Sequence, residues 1–158
     1  MEIYVIDIET LLKNFKPYQE SLLNIKGKKV EFNEQIDKIK EEMHSLVNSS
    51  KSLILGGATQ EQNQVRFNEL QQEGISIQSR FQEEIVDFQN SELDKNLALI
   101  TAVVEKWAKS EKITSVVNKN VMVYVSDKYD ATKRIINILK RDGLYNEFKE
   151  EDYQLEPA

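Results

Sequence analysis

Cysteine is absent from these 158 residues, and histidine occurs once. Disulfide frameworks, thiolate zinc sites and cysteine nucleophiles are thereby excluded, as is any multi-histidine metal site within one chain. Five glycines and two prolines are few for this length, which argues against a turn-dense sandwich or barrel. No apolar run approaches the ~18 residues that a membrane span requires. A basic start followed by a long apolar stretch is also missing, so no secretory leader is expected within the chain. Positive charge is in deficit: 21 Lys and Arg stand against 27 Asp and Glu, a formal charge of −6. An acidic chain without a basic stripe is a poor candidate for gripping phosphate backbones, so no nucleic-acid partner is expected, and membrane contact lacks a basic surface to support it.

What the chain does contain is helical periodicity between two β-like ends. Ile3-Tyr4-Val5-Ile6-Asp7-Ile8 is rich in β-branched and aromatic residues without alternation, and reads as a short strand covered on both faces. From Glu9 the spacing becomes helical, and Pro17 should mark a kink or a fresh helix start. Tyr18, Leu22, Ile25, Phe32, Ile36, Ile39, Met43, Leu46 and Leu53 then recur at steps of three, four or seven, an a/d heptad stripe. Gly56-Gly57 is the strongest break. The stripe resumes at Phe67, Leu70, Gly74, Ile77, Phe81, Ile85 and Phe88, with one stutter, and runs on through Leu97, Ile100, Val104 and Trp107. Two near-equal helices about a Gly-Gly turn predict a long antiparallel coiled-coil hairpin over 9–110, with arms on the order of 70 Å long.

After Ser110 the composition turns β-like again. Ile113–Val117 and Val121–Val125 are strand candidates, with a turn at Asn118–Asn120. Asp130 is suited to N-cap a helix carrying Ile135, Ile136, Ile138 and Leu139, Thr132 belongs to the same cap, and Gly143 is placed to end the helix. The fold class expected is therefore α+β and mostly helical: the hairpin is inserted in a small β body formed by 1–8 and 111–143 with its C-terminal helix. Residues 144–158 form an acidic tail expected to be partly disordered. Three short strands and one helix make a thin core, and pairing of sheet edges with neighbouring copies is the simplest remedy. The residues expected in that oligomerisation body are Ile3, Val5, Val116, Val117, Val121, Val123 and Tyr124.

No constellation carries catalysis. Glu41-x-x-His44 has the spacing of helical di-iron sites, which need two such motifs and two further Glu. Gly56-Gly57 lacks the Lys-Ser/Thr of a phosphate loop, and the abundant carboxylates read as solvated helix faces. An enzyme, a metal site and a cofactor are not expected. Leu53-Ile54-Leu55 is more informative. One heptad position buries only one of the three, so they are either a partner contact at the hairpin tip or a hydrophobic lock closing it. Gly27 and Gly74 are either hinges or tolerated defects. Tyr18, Phe67, Phe81 and Phe88 read as seam core.

The order of these segments resembles the Skp (OmpH-like) chaperones of the bacterial periplasm. The resemblance rests on Ile3-Tyr4-Val5-Ile6-Asp7 with Leu11-Leu12, and on Ile100-Thr101-Ala102-Val103-Val104 followed by Trp107-Ala108-Lys109-Ser110-Glu111-Lys112. It continues through Ser115-Val116-Val117, Val121-Met122-Val123-Tyr124, Asp130-Ala131-Thr132 and Ile135 to Leu139, and so covers the chain to about Lys140. It implies a homotrimer in which each subunit gives strands to a central β body and one hairpin as a tentacle. The tentacles would hold unfolded or assembling proteins without ATP, with Leu53, Ile54 and Leu55 as candidate client contacts. The alternative is an assembly adaptor or structural coiled coil with one dedicated partner. Two features depart from the family. Family tentacles are often basic, whereas Tyr18–Trp107 carries ten Lys/Arg against fifteen Asp/Glu. No leader is read in the chain, so the expected location is the periplasm if one has been removed and the cytoplasm otherwise.

Overall fold

The computed structural model describes residues 2–50 and 57–153. The element order is β1 (Ile3–Ile6), α1 (Ile8–Lys13), α2 (Lys16–Ser50), α3 (Gly57–Ser110), β2 (Ser115–Asn118) and α4 (Thr132–Arg141), with short 3-10 turns at Lys119–Val121, Asp127–Tyr129 and Glu150–Tyr153. The fold is mostly helical, with two packed long helices and a two-stranded sheet.

β1 and β2 pair in parallel, with Ile3 opposite Ser115, Tyr4 opposite Val116, Val5 opposite Val117 and Ile6 opposite Asn118. Parallel strands need a crossover, and the two long helices supply it. Asp7 caps α1, its Oδ1 accepting from Thr10 N–H at 3.2 Å and its Oδ2 from the Thr10 hydroxyl at 2.8 Å. The break foreseen near Pro17 falls between Lys13 and Lys16. Pro17 occupies the first turn of α2, where a missing N–H costs no helical bond.

The chain divides into two compact units, one made of Met1–Asn24 with Gln89–Ala158 and the other of Ile25–Phe88. In the first, Ile6, Leu11, Phe15, Ile100, Val104, Trp107, Ala131, Ile135 and Leu139 form one buried cluster. Each large apolar side chain removed from water there contributes about 1.5–3 kcal/mol. Tyr4 meets the Trp107 ring edge-on at 5.9 Å. α4 ends as its sequence suggests: Gly143 has a positive φ of 72°, and its N–H and that of Leu144 return to Lys140 O and Leu139 O. At the end of α3 the corresponding left-handed position is taken by Lys112, with φ 58°.

In the second unit α2 and α3 run antiparallel. Ile25 and Ile39 of α2 and Leu70 and Ile85 of α3 are buried, and Phe32, Ile36, Met43, Phe67, Ile77, Phe81 and Phe88 are half-buried. Phe32 and Phe81 stack at 3.9 Å with their planes 10° apart. The heptad stripe is thus the seam of this unit.

One expectation needs correction. Residues 121–125 form no strand. The segment has strong β propensity, but nothing among the described residues pairs with it, and propensity alone does not satisfy backbone groups. The first part of the acidic tail makes defined contacts. Phe148 N–H donates to Asn14 Oδ1 at 2.8 Å, Tyr145 bridges to Phe15, and Lys13 Nζ lies 4.8 Å from the centre of the Phe148 ring.

Gly74 shows how tightly the seam closes. A Cβ added there would meet Ile39 Cγ2 at 3.7 Å, an ordinary contact, and both Gly27 and Gly74 lie within continuous helix. Gly74→Ala should therefore stabilise the unit by about 1 kcal/mol through helix propensity. A shift of the urea midpoint to higher concentration, with an unchanged slope, is the expected reading.

Candidate functional site

The surfaces available for function lie at the edge of the body and along the arms. At the body edge, β1 is flanked on one side by β2. On the other side it bridges to Asp130, and Ala131 N–H donates to Val5 O at 2.8 Å. The outer edge of β2 has no strand beside it among the described residues. The chain then leaves β2 through the 3-10 turn and runs on with Val121, Met122, Val123 and Tyr124 exposed, Val123 completely so. Of the residues expected to form the oligomerisation body, Ile3, Val121, Val123 and Tyr124 are exposed, Val116 and Val117 are half-buried, and Val5 is wholly buried inside this chain. An unpaired strand edge beside an exposed apolar segment can accept another chain by backbone pairing.

A polar network holds this edge in place. Asp7 N–H donates to the Thr132 hydroxyl oxygen at 2.9 Å, and that hydroxyl donates to Asp130 Oδ1 at 2.6 Å. Thr132 N–H donates to the same Oδ1 at 3.0 Å. Asp130 thus stands one residue before the N-cap, Ala131, and serves the first N–H of α4 from there. Lys119 Nζ reaches Asp130 Oδ2 at 3.0 Å, and Ile8 N–H reaches Asn118 Oδ1 at 3.4 Å. Burial of the Asp130 carboxyl opposes its ionisation, but the bonds from Thr132 and Lys119 outweigh burial and hold the group below its ordinary value. Lys119 is raised above its own ordinary value, chiefly by its hydrogen bond to Asp130.

Where the arms begin, the apolar seam gives way to a polar layer that hydrophobic spacing does not reveal. Gln19, Ser21 and Asn96 are buried. The Ser21 hydroxyl lies 2.5 Å from Glu92 Oε2 and 3.0 Å from Pro17 O. Asn96 Nδ2 donates to Ser21 Oγ at 2.9 Å and to Glu92 O at 2.8 Å, while its Oδ1 is buried without a partner. Gln19 and Asn146 exchange bonds at 2.7 and 3.0 Å. The only sequence signal for this layer was the gap in the apolar stripe between Phe88 and Leu97.

Along the arms the aromatic rings belong to the seam. Arg66 pairs with Glu42 at 2.9 Å across it, and a cavity of about 100 Å³ lies beside Phe32 and Phe81. Glu41 and His44 are both exposed, and no group of three His, Cys, Asp or Glu converges among the described residues. The tip residues Leu53, Ile54 and Leu55 lie outside the described residues.

The family model described as Outer membrane protein (OmpH-like) matches residues 2–139. The chain belongs to the OmpH-like family. The OmpH-like family comprises chaperones and is non-catalytic. The match spans both strands of the parallel sheet, both long helices and α4 as far as Leu139, so the body-edge network falls within the family's extent. A search of curated proteins found no match.

The network makes a testable claim about stability. Thr132→Val strands the Asp7 N–H and should cost about 1–2 kcal/mol, read by the fluorescence of Trp107, the single tryptophan, in the body core. The depressed Asp130 gives the pH dependence its sign. As pH falls, the unfolded chain takes up that proton before the folded one does. The contribution is therefore complete near neutrality and is lost from the ordinary carboxylate range downward. Asp130→Asn should flatten that acid limb.

Proposed function

We propose that this protein is an ATP-independent holdase. It assembles as a homotrimer through its small β bodies and holds unfolded or assembling proteins between its helical arms. Family membership is the observation that carries the reading. The unpaired outer edge of β2 and the exposed Val121–Tyr124 segment support assembly through the body, since a lone chain leaves that apolar surface in water. Ile3, Val116 and Val117 line the same sheet and would contribute to it, with Val5 acting from beneath as core. The division of labour proposed is a body of 1–8 and 111–143 with a hairpin of 9–110. The family is typically periplasmic, and periplasmic action on outer-membrane clients is the setting proposed here.

Leu53, Ile54 and Leu55 are proposed as client contacts at the arm tip, because one seam position takes only one of three consecutive apolar residues. Light scattering after dilution of a urea-unfolded outer-membrane β-barrel protein tests the reading. The protein should suppress aggregation without ATP, near one trimer per client. Ile54→Asp with Leu55→Asp should weaken suppression while leaving the oligomer intact. Failure to protect this client or an unrelated unfolded protein, together with one tight stoichiometric complex with a folded partner, would instead indicate a dedicated assembly adaptor.

A further inference from the structure

The negative charge of the chain is unevenly distributed. Residues 106–141 carry nine Lys or Arg against three Asp or Glu, whereas the remaining residues carry twelve against twenty-four. A formal charge of −6 therefore conceals a stretch of +6. That stretch covers the end of α3, β2 and α4, all within the unit made of Met1–Asn24 with Gln89–Ala158.

Three of these cations meet at a concave surface. A groove of about 520 Å³ lies between the end of α3 and α4. The half-buried Val103 and Ile138 and the buried Trp107 form its floor, and the exposed Lys106, Arg134 and Arg141 stand along its walls. Glu111 and Asp142 are the two carboxylates on the lining. Asp142 faces its neighbour Arg141 at 3.4 Å, an exposed pair of little strength. Lys106 and Arg134 make no ion pair among the described residues. Arg134 is steadied by Tyr4, whose ring centre lies 5.7 Å from its guanidinium carbon, and Tyr4 in turn meets Trp107 edge-on. The Trp107 side chain is more than nine-tenths buried, yet its indole N–H donates to no group among the described residues. The groove thus gathers donors that lack acceptors above an apolar floor. Its lining spans eight residue steps of each helix, about 12 Å, the length of about four residues of extended chain. A segment that fits it needs carboxylates for the walls and an apolar side chain for the floor. A bilayer presents a flat array of headgroups, which would reach the rim of such a groove but not its floor.

We propose that the groove between α3 and α4 binds a short acidic segment of a partner protein, with carboxylates paired to Lys106 and Arg134 and an apolar side chain laid against Trp107 and Ile138. The site lies on the body, and the inference stands apart from the holdase reading.

Fluorescence anisotropy on the full chain tests it, with a labelled peptide of about eight residues in which Glu and Leu alternate. The peptide should bind and shift the emission of Trp107, the single tryptophan. Counterparts with Lys in place of Glu, or Gly in place of Leu, should bind about tenfold more weakly. Lys106→Gln with Arg134→Gln should weaken the Glu–Leu peptide by about tenfold, with helix content and oligomeric mass unchanged. Lys133→Gln with Lys140→Gln removes the same charge from α4 outside the groove and should stay within about twofold. Absence of binding, equal losses in the two variants, or binding without a change at Trp107 would overturn the proposal. Equal affinity for the Glu–Gly peptide would overturn it by reducing the contact to charge alone. Three further outcomes would overturn it by naming another occupant. Peptide affinity that rises about tenfold on deletion of residues 150–158 would make the chain's own acidic tail the occupant. Phosphatidylglycerol vesicles that bind the wild type and not the groove variant, with no peptide binding, would make it a membrane contact. A fall in oligomeric mass in the groove variant would make it a contact between copies.

Discussion

The body depends on closing a very long loop with very little sheet. Ile8 N–H and Asn118 Oδ1 are 110 residues apart in sequence, and each strand is only four residues long. Closing a flexible chain of that length costs about 4 kcal/mol before any contact is made. Four ladder positions, at about 1 kcal/mol net per hydrogen bond, scarcely cover it. The closure therefore rests on the side chains that the strands bring to the helices. Tyr4 and Ile6 meet Trp107, Ile135 and Leu139, and the Asp7–Thr132–Asp130 chain fastens the start of α1 to the start of α4. Helix pairing within 25–88 turns the chain back on itself and shortens the loop that the strands have to close.

Economy of sheet leaves apolar surface exposed. One edge of β1 is covered by Asp130–Ala131, whereas among the described residues the outer edge of β2 has no strand beside it and the Val121–Tyr124 segment is exposed. Exposed apolar residues scattered singly are ordinary on any surface, whereas four in succession beside an open strand edge are the surface proposed for assembly. The thinness of the core and the exposure of this segment are two aspects of one arrangement. The assembly proposed for the OmpH-like chain would provide both the missing cover and the geometry in which several arms act together.

The apolar pattern made much of this legible. The recurrence at 3.5 residues located both sides of the seam down to Ile39, Leu70 and Ile85, because burial along a two-helix contact imposes that period. Pro17 marked the helix restart because only a first turn tolerates it without losing a bond. Polar burial was not legible. Ser21, Gln19 and Asn96 look like surface residues until their partners are brought alongside, and no spacing rule announces an amide that bonds across a helix pair. The contacts at the start of the tail were illegible for the same reason: Asn146 and Phe148 are held by Asn14 and Gln19, whose part in that contact is invisible in composition. Val121–Val125 failed in the opposite sense. Its residues favour a strand, but a strand is a property of two segments, and no second segment pairs with it among the described residues.

The central claim is that the body is completed by other copies of the chain through the exposed segment after β2. Native mass spectrometry of the wild type beside the double variant Val121→Asp with Val123→Asp measures this directly. The account predicts a homotrimer for the wild type and a monomer, still folded around Trp107, for the variant. A folded wild-type monomer, or a trimer that survives both aspartates, would contradict it.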